Sequence, residues 1–295
     1  MSDRVETKPV KVRTILTKSN LPIAGYSVNP YIGCTHACKY CYACFMKRFT
    51  GHDEEWGTFL DVKYWDDITN PQKYDGKTMI VGSVTDAYNP QEEQFCRTRA
   101  FLQQMQGAKI NLIITTKSDL VLRDIDLIKS FPSPMVSWSI NTLDENFKDD
   151  MDKAVSIERR IYAMKKCHEA GIRTTCFISP IFPKITEVFD IIETIKDFCD
   201  YIWLENLNLR GNFKSDIMRY IAEKYPQLLS LYQQIYNQHD NTYWEILDKQ
   251  VAEYSRQNSF MYVVDKEPFL NNNTGKPIII NYFYHSQIKQ SAKSR

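Results

Sequence analysis

The sequence predicts an α/β protein whose parallel sheet curls into a partial (β/α)6 barrel, followed by a mainly helical C-terminal extension that ends in a hairpin. Three observations carry this. Short apolar runs rich in β-branched residues alternate with helix-period segments from about residue 79 onward, as repeated βα units do. Each run has roughly the length of a strand buried on both faces. After Arg210 the alternation gives way to long helix-like stretches.

In chain order, "YSVNPYIG" from Tyr26 supplies the first strand. "MIVGSV" (Met79 to Val84), "INLIITT" (Ile110 to Thr116), "MVSWSI" (Met135 to Ile140), "RTTCFIS" (Arg173 to Ser179) and "YIWLEN" (Tyr201 to Asn206) supply the next five. Between them, "PQEEQFCRTRAFLQQM", "SDLVLRDIDLIKS", "SIERRIYAMKKCHEAG" and "ITEVFDIIETIKDF" repeat apolar residues every three or four positions and read as helices. Ser118 with Asp119, Ser156 and Thr186 are candidate starts, and Gly171 a candidate stop. The barrel is expected over residues 1–211 and the extension over 212–295. The extension holds two helical stretches and a hairpin from "FMYVVD" to "PIIINYFYH" across "NNNTGK".

With 43% hydrophobic and 25% charged residues in 295, the chain can bury a full core, which excludes disordered, collagen-like and disulfide-miniprotein classes. A net charge of +1 exerts no global pull toward nucleic acid. The basic tail "IKQSAKSR" reads as a solvated terminus. No signal peptide or membrane span is legible, so a soluble, cytoplasmic protein is expected. Of 8 cysteines, Cys44, Cys96, Cys167, Cys176 and Cys199 are scattered singly, as buried thiols are in a reducing compartment.

Cys34, Cys38 and Cys41 are different: they follow CxxxCxxC within "GCTHACKYC". Structural zinc normally takes four protein ligands, and His36 is too close to its neighbours to be an easy fourth. A disulfide would leave an odd thiol. An iron–sulfur cube on three thiolates leaves one iron open for another ligand.

The motif, with Tyr40 directly before the last cysteine and in a loop after the first barrel strand, resembles the radical S-adenosylmethionine (SAM) superfamily. "NPYIGCTHACKYCYA", "GSVTDAYNPQEE", "TRAFLQQM", "ITTKSDLVLRDIDLI", "SINTLDENF" and "EAGIRTTCFISPIFPKIT" narrow the likeness to its spore photoproduct lyase-like branch, also called DNA repair photolyases, over roughly residues 29–210. Within the branch the chain looks most like the mobile pair group, which implies a second radical SAM protein as partner. The resemblance implies a [4Fe–4S] cluster on Cys34, Cys38 and Cys41, and SAM on its open iron, with the Tyr40 backbone beside adenine. Reduction by a donor such as flavodoxin or ferredoxin would release a 5′-deoxyadenosyl radical that abstracts hydrogen from a substrate. The branch favours a nucleic acid or nucleotide there; a peptide or protein is the alternative, and a non-catalytic zinc adaptor the alternative of another class.

Position at the C-terminal ends of strands points independently to further cofactor contacts. Thr85 and Asp86 suit the SAM ammonium, Lys117 its carboxylate, Ser139 and Asn141 the carboxylate or ribose, and Pro180 the adenine wall; Asn206 ends the sixth strand on the same rim. The plainer readings are an Asx turn at Thr85–Asp86, a solvated Lys117, strand packing for Ser137 or Ser139, a loop-ordering His36 and a packed spare thiol at Cys44. The chain departs from the lyase at Ser83, where that enzyme has the cysteine that returns hydrogen to the substrate radical; a hydroxyl donates hydrogen atoms far less readily. Cys96 and Tyr88 lie nearby in sequence, with Cys96 expected in the core. No cysteine follows Cys199, so a single cluster is expected. Tyr243, Trp244, Tyr282, Phe283, Tyr284 and His285 suit core packing better than base stacking.

Overall fold

The structure is a computed structural model describing residues 5–21, 23–209, 213–264 and 275–283. It divides into two compact units, Met1–Ser139 with Glu145–Thr175, and Ile140–Asp144 with Cys176–Arg295. The boundary expected at 211–212 lies outside the described residues. Among the described residues no helix is long and apolar enough to cross a membrane.

The first unit contains β1 (Glu6–Val12), β2 (Leu16–Lys18), β3 (Tyr26–Val28), β4 (Tyr31–Ile32), β5 (Phe59–Trp65), β6 (Thr78–Val81), β7 (Asn111–Thr116) and β8 (Met135–Ser139). Strands β3, β6, β7 and β8 are parallel neighbours, with Tyr26 opposite Met79, Thr78 opposite Asn111 and Ile113 opposite Met135; β2 joins the edge antiparallel to β3. Val28, Met79, Val81, Leu112, Ile114 and Val136 are wholly buried, as near-continuous apolar runs in a parallel sheet require. The stretch "YSVNPYIG" is two strands rather than one. After β3 the chain turns through Asn29 and Pro30, and β4 pairs antiparallel with β5, which runs parallel to β1 in a separate three-stranded sheet.

The helices here are α1 (Lys47–Thr50), α2 (Glu92–Phe95), α3 (Arg97–Gln104), α4 (Ile125–Lys129), α5 (Glu145–Met151) and α6 (Ile157–Glu169). The single helix expected over "PQEEQFCRTRAFLQQM" is broken at Cys96, whose φ is +52°. Buried Glu92 explains the break: its carboxylate accepts from the Thr98 and Arg99 amides at 2.9 and 3.2 Å, capping α3 from the preceding turn. Ser156 caps α6 by accepting from the Arg159 amide at 3.3 Å, and Gly171 follows its end at φ +80°. Ser118 opens a 3₁₀ turn, accepting from the Leu120 amide at 3.1 Å, before α4 begins.

In the second unit β9 (Arg173–Ile181, from Cys176 on), β10 (Tyr201–Asn206), β11 (Met261–Val264) and β12 (Ile278–Asn281) form a sheet in the order β9-β10-β12-β11. It carries α7 (Val188–Ile195), α8 (Phe213–Lys224), α9 (Leu229–Asn237) and α10 (Thr242–Asn258). The expected hairpin is corrected: β11 and β12 run parallel, Met261 opposite Ile278, and β12 is also parallel to β10. The connection over 265–277 is long enough for a parallel crossover, which needs about a dozen residues. Thr186 does not cap α7, which starts after Glu187. Its hydroxyl accepts from the Phe182 amide at 2.9 Å and donates to the Asn141 carbonyl at 2.8 Å, closing the loop. Trp244 and Phe283 are buried 5.6 Å apart in the core. Tyr284, His285 and the basic tail lie outside the described residues.

Candidate cluster and cofactor site

The cysteine loop is placed by close backbone approach. Gly33 sits at φ +89°, and a Cβ there would stand 2.5 Å from the Phe59 carbonyl; one on Gly57, at φ +105°, would stand 2.4 Å from Ala37 Cβ. Only glycine fits either position. Within the loop the Ala37 amide donates to the Cys34 carbonyl at 3.2 Å and the Cys41 amide to the Cys38 carbonyl at 3.1 Å. Two longer-range bonds tie the loop to the end of α5. The Lys39 amide donates to the Met151 carbonyl at 3.0 Å and the Lys153 amide to the His36 carbonyl at 2.7 Å.

Burial pushes all three thiols up. Cys34 is raised further by the charges of Asp86, Cys38 and Cys41. Cys38 is raised by Asp152 and Cys41, with Lys117 opposing. Cys41 is pushed up to about 11, with the Ala43 amide and the Trp56 indole opposing and Cys44 adding to the rise. The sulfurs are therefore electrostatic neighbours that a cationic centre would deprotonate together. Among the described residues, no three His, Cys, Asp or Glu side chains converge to hold one metal ion. Tetrahedral zinc would need its sulfurs about 3.8 Å apart, from a Zn–S bond of about 2.3 Å. Three thiolates on three corners of a cube stand farther apart, and the cube's fourth iron needs no protein ligand, so three cysteines on one loop suit a cluster by ligand count.

Of the expected cofactor residues of this unit, Thr85, Asp86 and Lys117 touch the loop. Thr85 donates its hydroxyl to the Gly33 carbonyl at 2.5 Å. Asp86 Oδ1 accepts from the Tyr88 amide and the Thr116 hydroxyl, each at 2.8 Å. Its Oδ2 accepts from the Lys117 amide at 2.7 Å and lies 3.0 Å from His36 Nε2. Burial would raise this carboxyl, but His36, Lys117 and Thr116 together hold it below the usual carboxylate range. The Asx turn and the polar contact therefore coexist at Asp86, and His36 is the contacting side chain. Lys117 is buried, not solvated. Its Nζ donates to Tyr40 Oη at 2.9 Å and lies 3.3 Å from Asp152 Oδ2. The Ser139 carbonyl accepts from Arg160 Nη1 at 3.2 Å. Ser83 Oγ accepts from Asn29 Nδ2 at 3.1 Å, and the Tyr42 hydroxyl donates to the Ser83 carbonyl.

Sequence reasoning missed Asp152 and Arg160, which complete the chain from Lys117. Asp152 Oδ1 accepts from fully buried Arg160 Nη2 at 2.8 Å and from the Ala154 amide at 3.1 Å; Tyr40 Oη lies 3.3 Å from Oδ2. A signal existed, because Arg160 occupies the apolar stripe of α6 with Ala163, Met164 and Cys167. Gln91 was missed as well: its Oε1 accepts from the Thr35 hydroxyl at 2.9 Å, holding the loop next to Cys34.

Asn141, Pro180 and Asn206 belong to the second unit. Asn141 Nδ2 donates to the Pro180 carbonyl at 3.3 Å, so these two are neighbours, and buried Asn206 Nδ2 has no hydrogen-bond partner among the described residues.

The chain is 38% identical over 229 residues to uncharacterized protein MJ0683 of Methanocaldococcus jannaschii, covering 77% of this chain and 86% of that one. It is 31% identical to uncharacterized protein ORF301 of Acidianus two-tailed virus, over 54% of this chain and 56% of the viral one. Among solved structures, spore photoproduct lyase complexed with dinucleoside spore photoproduct is similar at TM-score 0.53 and 16% identity, covering 75% of this chain and 66% of the lyase. Streptococcus suis SuiB bound to SAM is similar at TM-score 0.52 and 13% identity, covering 88% of this chain and 47% of SuiB. Both share the fold, a mixed α/β architecture on parallel strands as in a partial barrel. Residues 28–198, more than half the sequence, match the Radical SAM superfamily model, and the chain belongs to that superfamily.

Proposed function

We propose that Cys34, Cys38 and Cys41 hold a single [4Fe–4S] cluster and that the chain is an enzyme that cleaves SAM reductively and abstracts hydrogen from a substrate. The observation that carries this is three free cysteines on one short loop, Cys34 buried and Cys38 and Cys41 partly buried, in a chain that matches the Radical SAM superfamily. Bound there, the cluster would supply the electron that converts SAM to methionine and a 5′-deoxyadenosyl radical, drawn from a donor such as flavodoxin or ferredoxin. The protein's own part is positional. Thr85, Asp86 and Gln91 fix the loop from three sides, and Asp152 and Tyr40 hold the Lys117 ammonium beside Cys38, where it favours an anionic ligand such as the SAM carboxylate. Asn141 and Pro180 are proposed as the ribose and adenine contacts, and Ser139 as a further one.

The likeness to spore photoproduct lyase favours a nucleic acid or nucleotide substrate. Ser83, held by Asn29, has no thiol to return hydrogen, which argues against dimer repair by the lyase's own relay. A peptide is the second reading, favoured by the exposed Glu205 carboxylate, two residues along β10 from the Trp203 ring that packs on Phe177. A second radical SAM protein as partner belongs to the same proposal.

Anaerobic purification tests the chemistry. The protein should be brown with about four irons per chain and form 5′-deoxyadenosine under dithionite. Cys41→Ala should lose the iron, and Cys44→Ala should keep it. A colourless protein with one zinc, or iron loss in Cys44→Ala, would overturn the assignment.

A further inference from the structure

Residues 201, 203 and 205 of β10 share one face, because side chains alternate along a strand; Ile202 and Leu204 fill the opposite, wholly buried face. On the first face the Trp203 indole is enclosed between two rings. Tyr282, just past β12, stacks on it at 4.9 Å and 17°, and Phe177 of β9 lies 4.9 Å away at 46°. The Trp203 N–H is buried and has no acceptor among the described residues. One step further along β10, Glu205 is exposed, and its Oε2 accepts from the Ser179 hydroxyl at 2.6 Å. Phe177, Ser179 and Tyr282 are each partly exposed beside it. Ser179, Glu205 and Tyr282 stand at or near the C-terminal ends of their strands, the end at which parallel sheets bind ligands, with Phe177 and Trp203 one step further back.

Each part has a chemical implication. A carboxylate steadied through one oxygen and open to solvent is an acceptor for a forked pair of N–H donors. Flat aromatic faces next to it favour a planar cation over a compact one. The negative charge disfavours a phosphate-bearing ligand.

We propose that Phe177, Ser179, Trp203, Glu205 and Tyr282 form a binding site for the guanidinium of an arginine side chain in a peptide. This rests on the peptide form of the function above and gives that peptide an arginine at the residue held here.

The test uses the full chain, anaerobically reconstituted, and isothermal titration with three probes: N-acetylarginine amide, N-acetyllysine amide and guanosine. Guanosine presents a similar paired N–H edge without charge. The arginine probe should bind most tightly. Glu205→Gln should weaken it at least tenfold, about 1.4 kcal/mol, and Phe177→Leu should weaken it less. Both variants should keep the parent's melting temperature and SAM affinity. Equal binding of all three probes, tighter binding of guanosine, or arginine binding indifferent to Glu205→Gln would overturn the proposal. So would loss of SAM affinity in Glu205→Gln, because these residues would then belong to the cofactor. Binding and SAM cleavage are read separately. A chain that binds the arginine probe but forms no 5′-deoxyadenosine refutes the radical chemistry and leaves the site standing.

Discussion

Replacing Asp152 by asparagine keeps its shape and removes its charge. Asp152 and Arg160 side chains are 1% and 0% exposed, and the same carboxylate faces Lys117 at 3.3 Å. Breaking a buried pair by neutralising one partner typically costs about 3–5 kcal/mol, because the remaining charge cannot be solvated. At roughly 2–3 °C per kcal/mol for a chain of this length, the melting temperature should fall by about 6–15 °C. The loop bonds to Met151 and Lys153 flank this carboxylate, so iron per chain should fall as well. Burial alone would raise the Asp152 carboxyl, but Lys117, Arg160 and His36 hold it well below the usual range. A depressed carboxyl stabilises the fold above its unfolded pKa of about 3.9 and loses that contribution as pH falls toward the folded value. The gap between parent and variant should therefore be full at pH 7 and shrink below about pH 4. Circular dichroism melts across that range measure it. A gap under 3 °C at pH 7, or one that widens in acid, would refute the claim that Asp152 is the counter-charge of this network.

Two further perturbations follow from the same geometry. Gly33→Ala should lose the cluster while the far-ultraviolet spectrum stays that of the parent, because the added methyl drives the loop off the Phe59 carbonyl; retained iron would mean that β5 yields instead. His52 bridges Asp61 at 3.1 Å and Glu54 at 3.0 Å; burial pulls its pKa down, but these two acceptors raise it overall. Its stabilising contribution should be complete below the unfolded pKa of about 6.5 and be lost as pH rises through the higher folded value. Melting temperatures between pH 5.5 and 8.5 should fall more in the parent than in His52→Gln, and parallel curves would count against it.

Strands buried on both faces were legible because their apolar runs leave no alternative. The β1–β5 pair was not: β1 reads "ETKPVKV", with a proline, two lysines and mostly exposed side chains, and resembles a solvated tail. The parallel pairing of β11 and β12 was hidden because sequence shows which segments are extended but not which way each meets its partner. At the site, the three cysteines and the cluster of Thr85, Asp86 and Lys117 were readable from spacing and strand ends. Asp152 and Arg160 lie more than a hundred residues from the loop and look like ordinary helix charges until burial pairs them. Cys96 could not be foreseen as a helix break, because the cause is the Glu92 carboxylate reaching forward to the next turn.

The bonds from Lys39 and Lys153 to the carbonyls of Met151 and His36 run between backbone groups and involve none of the cysteine sulfurs. Zinc fingers are the opposite case, in which metal binding and folding are one event. Here the proposed cluster would enter a loop held in part by such bonds. A protein stripped of it should keep the parent's far-ultraviolet spectrum and take up iron again.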